Sequence, residues 1–295
     1  MTIQEFNERA SQGVLLLDGA TGSNMRAAGM PVGVCVEAWL LEHPEPLIQL
    51  QRSYVDAGSD VIYAPTFSAN RHGLGMHGMA ERLAEINAGL VALSRRAADG
   101  RALVAGDITT LGRPMEPVGT LSYEELLEVY TEQLTAILDA GVDLLVAETM
   151  MGIDETACAV EAARALCDLP ILCTLTMEAD GHLLFGGSAE EAVETLQAVG
   201  ATAVGLNCST GPDQLEAVVS AMKAVAEVPV IAKPNAGMPV MDDKGIAHYS
   251  MDPERFADAM LRLVDLGAGI VGGCCGTTPD YLRALNARLK ERGLR

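Results

Sequence analysis

Eight short apolar runs, each with small or polar residues at or just before its end, recur along the whole chain and dictate most of what it can become. They occupy residues 14–19, 60–67, 103–109, 144–149, 171–177, 203–208, 230–235 and 269–274. Each is too short for a buried helix and too uniformly apolar for a strand with one wet face. This is the pattern of strands in a parallel sheet covered on both sides. Between the runs lie stretches with apolar residues at helical spacing. Residues 123–140 carry Leu126, Leu127, Tyr130, Leu134, Ile137 and Leu138 on one face, and Ser122 with Glu125 reads as a capping box before it. Residues 189–199 and 212–226 read as two more helices. Gly58, Gly141, Gly200 and Gly267 each stand between a helix and the next strand, where a helix ends most easily on a left-handed residue. Eight strand–helix units without a linker predict a single-domain α/β fold, a (β/α)8 TIM barrel over residues 1–295. The rival is a doubly wound sheet, which normally carries a Gly-rich phosphate loop after its first strand. Gly19-Ala20-Thr21-Gly22 is a poor match to that loop.

Charge narrows the function. Twenty Lys and Arg against forty Asp and Glu give a net charge of −20. No basic field exists to attract a phosphate backbone, so a nucleic-acid partner is not expected. The apolar runs fall well short of the roughly 18 residues that a membrane span needs. The opening residues, Met1-Thr2-Ile3-Gln4-Glu5, lack the basic-then-apolar layout of a secretory signal. The expectation is a cytoplasmic protein with no membrane partner. Seven cysteines, an odd number without framework spacing, fit thiols or metal ligands in a reducing compartment better than disulfides.

Barrel active sites lie at the C-terminal ends of the strands. The residues to weigh are therefore Asp18, Thr66, Asp107, Glu148, Thr176, Asn207, Cys208, Asn235, Cys274 and Cys275. Three are cysteines on the sixth and eighth strands, which flank the seventh in a barrel and so meet in space. Cys158, Cys167 and Cys173 lie within elements and read as small apolar core residues. Cys35 sits in a loop and carries no assignment. The adjacent Cys274-Cys275 pair resists the core reading. Successive strand residues point to opposite faces, so neighbouring side chains converge only where the strand gives way to a turn. Gly272, Gly273 and Gly276 supply that freedom. A disulfide between neighbours is disfavoured, because adjacent α-carbons lie about 3.8 Å apart, less than the roughly 4.4 Å that a disulfide wants. Three sulfur donors in a histidine-poor setting select zinc, and three protein donors leave a position open. The histidines, His43, His72, His77, His182 and His248, share no ligand spacing and read as surface or loop residues.

An all-thiolate zinc site is a poor Lewis acid for hydrolysis. It suits a different task, holding a substrate thiol as a thiolate for attack on an electrophilic carbon, with methyl transfer the simplest case. Two other readings compete. Lys233, at the end of the seventh run, could form an imine in the manner of a Schiff-base lyase. A thiol-binding module without turnover is the third.

The chain also carries Leu17-Asp18-Gly19-Ala20, Thr66-Phe67 with Ala69-Asn70-Arg71, and Glu148-Thr149. Gly205-Leu206-Asn207-Cys208, Lys233-Pro234-Asn235-Ala236-Gly237 and Gly273-Cys274-Cys275-Gly276-Thr277-Thr278-Pro279 follow. With these motifs it resembles the homocysteine S-methyltransferase family of zinc-dependent (β/α)8 barrels, over nearly its whole length. The details are most similar to the N-terminal homocysteine module of the cobalamin-dependent methionine synthases. The resemblance implies one zinc per chain on Cys208, Cys274 and Cys275, with Asn235 as a fourth ligand while substrate is absent. It implies homocysteine as the acceptor and methionine as the product. Asp18, Gly19 and Glu148 would hold the amino-acid end, with Asn207 among the substrate contacts. The chain has no DxHxxG-type cobalamin motif and ends at Arg295, so the methyl group is expected from a separate methylated corrinoid protein. A small donor, S-methylmethionine or betaine, is the alternative. The sequence departs from the pattern near the expected mouth. Gly106-Asp107-Ile108-Thr109-Thr110 stands where synthase-like members carry Gly-Ser-Ile-Gly-Pro, Thr21 where Met is common, and Val36 where Asn is frequent. These departures bear on the acceptor rather than on the metal.

Overall fold

The computed structural model describes residues 1–241 and 247–295. Ten strands lie among the described residues: β1 (Leu15–Leu16), β2 (Val61–Ala64), β3 (Leu103–Ile108), β4 (Leu144–Met150), β5 (Ile171–Leu175), β6 (Ala203–Cys208), β7 (Val230–Pro234), β8 (Pro239–Met241), β9 (Ala247–Tyr249) and β10 (Ala268–Val271). Eight form one all-parallel sheet in the order β1-β10-β7-β6-β5-β4-β3-β2. A parallel bridge between Leu17 and Val61 brings its two edges together, so the sheet is a (β/α)8 barrel, with β10 as the eighth barrel strand. β8 and β9 pair with each other as an antiparallel hairpin after β7, an element the apolar rhythm does not announce.

The expected runs and the observed strands coincide, with shorter ends. The first strand keeps only Leu15–Leu16 plus the bridge at Leu17. The last stops at Val271, because the backbone at Gly272 passes so close to Leu17 that a Cβ would lie 2.8 Å from it. Two expected helices appear as Tyr123–Asp139 and Ala189–Ala198. The third is divided into a 3-10 turn, Pro212–Gln214, and the helix Glu216–Val225. Half of the expected capping box forms: the Ser122 hydroxyl accepts from the Glu125 N–H, while the Glu125 carboxylate meets Arg113 at 3.1 Å. Gly58, Gly141, Gly200 and Gly267 all have positive φ, from 82° to 110°, as helix-ending glycines should.

The barrel interior explains where a site can form. Leu15 and Leu17, Val61 and Tyr63, Ala105, Leu144 and Val146, Leu172, Ala203, Ile231 and Ile270 fill it, and Phe6 of the N-terminal helix Ile3–Gln12 packs into the same cluster. Within each strand these residues are two apart, the period of inward-facing positions. One step further up, the same inward register turns polar. Asp107 follows Ala105, Glu148 follows Val146, Thr174 follows Leu172 and Lys233 follows Ile231. The intervening residues, such as Ile62, Val104, Leu145 and Cys173, face outward into the larger core under the helices. Cys173 and Cys158 are fully buried there, as core cysteines should be. Cys167 is half-buried, and Cys35 is buried beside the Glu37 carboxylate, 3.5 Å away. His43, His77, His182 and His248 are exposed and His72 is half-buried. No helix of the described residues is long and apolar enough to cross a membrane.

Candidate active site and metal centre

The two cysteine-bearing strand ends flank β7, and three sulfurs meet above it. The Sγ atoms of Cys208, Cys274 and Cys275 all lie within 4.8 Å of one another. Cys208 is 2.7 Å from Cys274 and 4.0 Å from Cys275. The backbone has to leave strand geometry to do this. Cys208 and Ser209 both sit at φ 59°, a left-handed conformation that side-chain-bearing residues seldom adopt and that clusters at functional sites. Gly276, at φ 81°, passes so close to the Tyr249 ring that a Cβ would lie 2.3 Å from it. β7 clamps the turn: the Cys274 N–H donates to Pro234 O at 2.7 Å, and the Ala236 N–H donates to Cys275 O at 2.9 Å.

The donor chemistry fits zinc. Cys208 is pushed well above the ordinary thiol range by its two sulfur neighbours and by burial. Cys275 is held low by the same contacts with Cys208 and Cys274. Three thiols this close cannot all ionise without a cation between them, and an all-sulfur set favours a soft ion of tetrahedral habit. Asn235 lies beside the cluster. Its Nδ2 donates to Ser209 O at 3.2 Å, while its buried Oδ1 has no hydrogen-bond partner among the described residues, so an oxygen donor is left over. Asn207 is fully buried. Its Oδ1 accepts from the Thr149 N–H at 2.8 Å, and its Nδ2 donates to Thr149 Oγ1 and reaches Cys274 Sγ at 3.8 Å. That amide is spent on fixing the sulfur cluster against β4, where Thr149 also sits at φ 59°.

A second cluster occupies the polar layer at the top of the barrel core. Lys233 is 3 % exposed, with its Nζ 3.6 Å from Asp18 Oδ1, 3.5 Å from Glu148 Oε2 and 4.7 Å from the centre of the Tyr63 ring. The Asp18 Oδ2 accepts from the Tyr63 N–H at 2.8 Å. Burial pushes the Asp18 carboxyl up to about 7, against the pull of Lys233. Burial, then the neighbouring Glu148 carboxylate, puts Asp107 well above the usual carboxylate range, and burial also raises Glu148. Burial alone would pull Lys233 down, but Glu148 and Asp18 outweigh it and hold the ammonium charged. An imine-forming lysine must be neutral to attack a carbonyl, so this setting works against the lyase chemistry. Gly19 closes the first strand's turn, where a Cβ would lie 2.7 Å from the Tyr54 hydroxyl and 2.9 Å from that of Thr277.

One cavity of about 450 Å³ touches both clusters, with Asp18, Asp107, Glu148 and Lys233 on its wall together with all three cysteines. Thr21 and Val36, two of the departures from the family pattern, also line it. Two strand-end candidates serve the frame instead. The Thr66 hydroxyl bridges to the backbone of Asp107, donating to its carbonyl at 2.7 Å, and Thr176 donates to Asn207 O at 3.4 Å. Sequence reasoning missed Tyr63 and Tyr249. The inward register of β2 could have revealed Tyr63, whereas Tyr249 comes from the hairpin and carries no local signal.

The homocysteine S-methyltransferase family matches residues 15–289. The chain is 31% identical over 295 residues to the methionine synthase of Mycobacterium tuberculosis, covering 94% of this chain and 25% of that protein. It is 30% identical to the methionine synthase of Mycobacterium leprae, covering 95% of this chain and 24% of that protein. The chain thus spans about a quarter of the length of these relatives. Among solved structures, it is similar to the homocysteine methyltransferase MmuM from Escherichia coli in its metallated form, with a TM-score of 0.82 and 25% identity over 96% of this chain and 98% of that one. From the match over most of its length, the chain belongs to the homocysteine S-methyltransferase family.

Proposed function

We propose that this chain is a zinc-dependent S-methyltransferase that takes homocysteine as a thiolate and methylates it to methionine. The observation that carries the reading is the convergence of three cysteine sulfurs within 4.8 Å on the wall of a cavity that also meets buried carboxylates. Cys208, Cys274 and Cys275 would hold one zinc per chain, with Asn235 as a fourth donor before substrate enters. Zinc in an all-sulfur site lowers the pKa of an added thiol and keeps it nucleophilic at neutral pH.

The chain's own residues set the stage for that thiol. Asn207 orients Cys274. Asp18 Oδ1 and Glu148 Oε2 are buried and face the Lys233 ammonium at 3.6 and 3.5 Å without a hydrogen bond, which leaves both carboxyls able to accept from a substrate ammonium as well. Gly19 keeps the strand end thin enough for the turn that carries Asp18. Lys233 neutralises part of the carboxylate charge, so the cavity admits a substrate that brings its own carboxylate.

The methyl group comes, on this reading, from a separate methylated corrinoid protein. Among the described residues, Val32, Met76, Val118, Leu184, Phe185, Met238 and Val240 are large, apolar and exposed. These seven lie in the segments that follow β1, β2, β3, β5 or β7, at the mouth end of the barrel, whereas Tyr123, Leu166 and Leu266, exposed to a lesser degree, lie on or beside helices. An apolar rim around an active-site mouth suits a macromolecular partner. A small donor, S-methylmethionine or betaine, is the second reading, favoured by the near-complete overlap with the single-barrel MmuM chain. The seven free cysteines support a reducing, cytoplasmic setting.

The test is a donor panel with metal analysis. The purified protein is expected to hold about one zinc per chain and to form methionine from homocysteine with methylcobalamin or a methylated corrinoid protein. Turnover with S-methylmethionine or betaine alone would move the donor to the second reading. Absence of turnover with every donor would overturn the enzyme reading in favour of a thiol-binding module.

A further inference from the structure

The ammonium end of the cavity holds one carboxyl more than the roles above require. Asp18, Glu148 and Asp107 all line it, and the resident cation is Lys233. Asp107 is 3 % exposed, and its Oδ1 is buried with no hydrogen-bond partner among the described residues. Its backbone is fixed by the Thr66 hydroxyl, which accepts from the Asp107 N–H at 3.0 Å. The register of β3 aims the side chain inward, two residues beyond the core residue Ala105. The pairing of Asp107 with Val146 and of Ile108 with Ala147 puts Asp107 and Glu148 on neighbouring strands, and both line the same cavity. A buried carboxyl costs several kcal/mol unless a cation or a proton compensates it. Glu37, also on the wall, is already engaged by the Ser68 N–H and the Cys35 thiol, and among the described residues Lys233 is the one cation lining the cavity for the other three carboxyls. A substrate ammonium supplies a second.

We propose that Asp107 is a specificity-determining residue of this site, a third carboxyl that makes a protonated α-amino group a condition for accepting a thiol. The inference rests on the thiol-acceptor reading above and sharpens its substrate class to aminothiols. It also gives physical content to the departure at this position, where the related pattern carries a serine. A serine hydroxyl can accept one hydrogen bond from an ammonium but brings no charge. The carboxylate adds a charge-assisted bond, roughly twice as strong as a neutral one.

Binding of two probes to the zinc-loaded full chain tests this: homocysteine, and 4-sulfanylbutanoate, which has the same thiol and carboxylate without the amine. The wild type is expected to prefer homocysteine. Asp107→Asn keeps the shape and removes the charge; it is expected to shrink that preference by roughly ten- to a hundredfold, the range of a hydrogen bond to a charged group. The loss should fall on homocysteine affinity and KM, with kcat and zinc content little changed and 4-sulfanylbutanoate affinity equal or improved. Asp107→Ser is smaller and matches the residue of the related pattern, so it serves as the second variant in case Asp107→Asn folds poorly, with the same narrowing expected. An equal loss for both probes, or an unchanged ratio, would overturn the inference and leave Asp107 a frame residue. If neither probe binds the wild type, the thiol-acceptor reading falls and this inference falls with it.

Discussion

The sulfur end and the carboxylate end of the one cavity solve opposite electrostatic problems. At the sulfur end, Cys208, Cys274 and Cys275 crowd together, and their mutual contacts hold Cys275 low and push Cys208 high. At the carboxylate end, Lys233 sits between Asp18 and Glu148 and compensates part of their charge from within the fold. On the proposed reading the first end takes its cation from outside, whereas the second holds Lys233 as a cation of its own. Loss of a ligand should therefore be read in chemistry at the sulfur end, and in stability and affinity at the carboxylate end.

The largest effect should come from breaking the sulfur end. Cys275→Ala leaves two sulfurs, too few to hold zinc against competing ligands in solution. Bound zinc should fall to near zero by elemental analysis, with methyl transfer reduced by about a thousandfold or more, or roughly 4 kcal/mol of barrier. The fold should survive, because Cys275 has only the neighbouring sulfurs and the Tyr249 side chain to lose. Full zinc occupancy in the variant would show that the cluster is not the metal site.

Breaking the carboxylate end at its cation should reverse the pattern. Lys233→Met keeps the length of the side chain but leaves Asp18 and Glu148 buried around an apolar group. Removing one partner of a buried ion pair typically costs about 3–5 kcal/mol, so urea unfolding should show a loss of that order. Zinc content should be retained wherever the variant is folded. A Lys233→Met protein as stable as the wild type would mean that the carboxyls simply stay protonated and that Lys233 has no structural duty.

A milder change separates the two ends within a single assay. Glu148→Gln keeps the shape and removes one acceptor charge facing the cavity. Homocysteine KM should rise by roughly ten- to a hundredfold, with zinc unchanged. A fall in zinc content instead would tie the two ends together more closely than the cavity geometry implies.

The two ends also differ in how legible they were. The sulfur end could be read because adjacent cysteines after a Gly-Gly turn are rare, and because strand order alone places the ends of β6 and β10 on either side of β7. The barrel was legible for the same reason, since strands covered on both faces leave uniform apolar runs. At the carboxylate end, Asp18 and Glu148 stood out as strand-end acids, but the central role of Lys233 did not. A lone lysine at a strand end is compatible with several chemistries until its neighbours are known. The clue lay in register: a charged residue two steps beyond an inward core position, as in Ile231 to Lys233 and Ala105 to Asp107, marks the top of the packed interior. The β8–β9 hairpin, which brings Tyr249 against the turn at Gly276, left no periodic signal because each strand is only three residues long.

The smallest effect is a pH dependence that the carboxylate end should show and the sulfur end should not mask. In the unfolded chain Asp18 ionises near its ordinary value of 3.8, whereas in the fold it keeps its proton to about 7. Between those values the folded state binds more protons than the unfolded one. Its contribution therefore lowers stability as pH rises from about 4 to about 7 and is constant above. Asp107 and Glu148, raised in the same sense, push in the same direction. Homocysteine affinity should move the other way, growing as pH rises through 7, because an ionised Asp18 is the better acceptor for an ammonium. Metal ligation and the substrate thiol also titrate, so the informative quantity is the difference between the wild type and Asp18→Asn, whose amide oxygen can still accept from the Tyr63 N–H. That difference in unfolding free energy should change by more than about 1 kcal/mol between pH 4 and 7. A flat difference across that range would mean that Lys233 keeps Asp18 ionised throughout, and that the carboxylate end is as fully compensated by the chain as any ordinary buried ion pair.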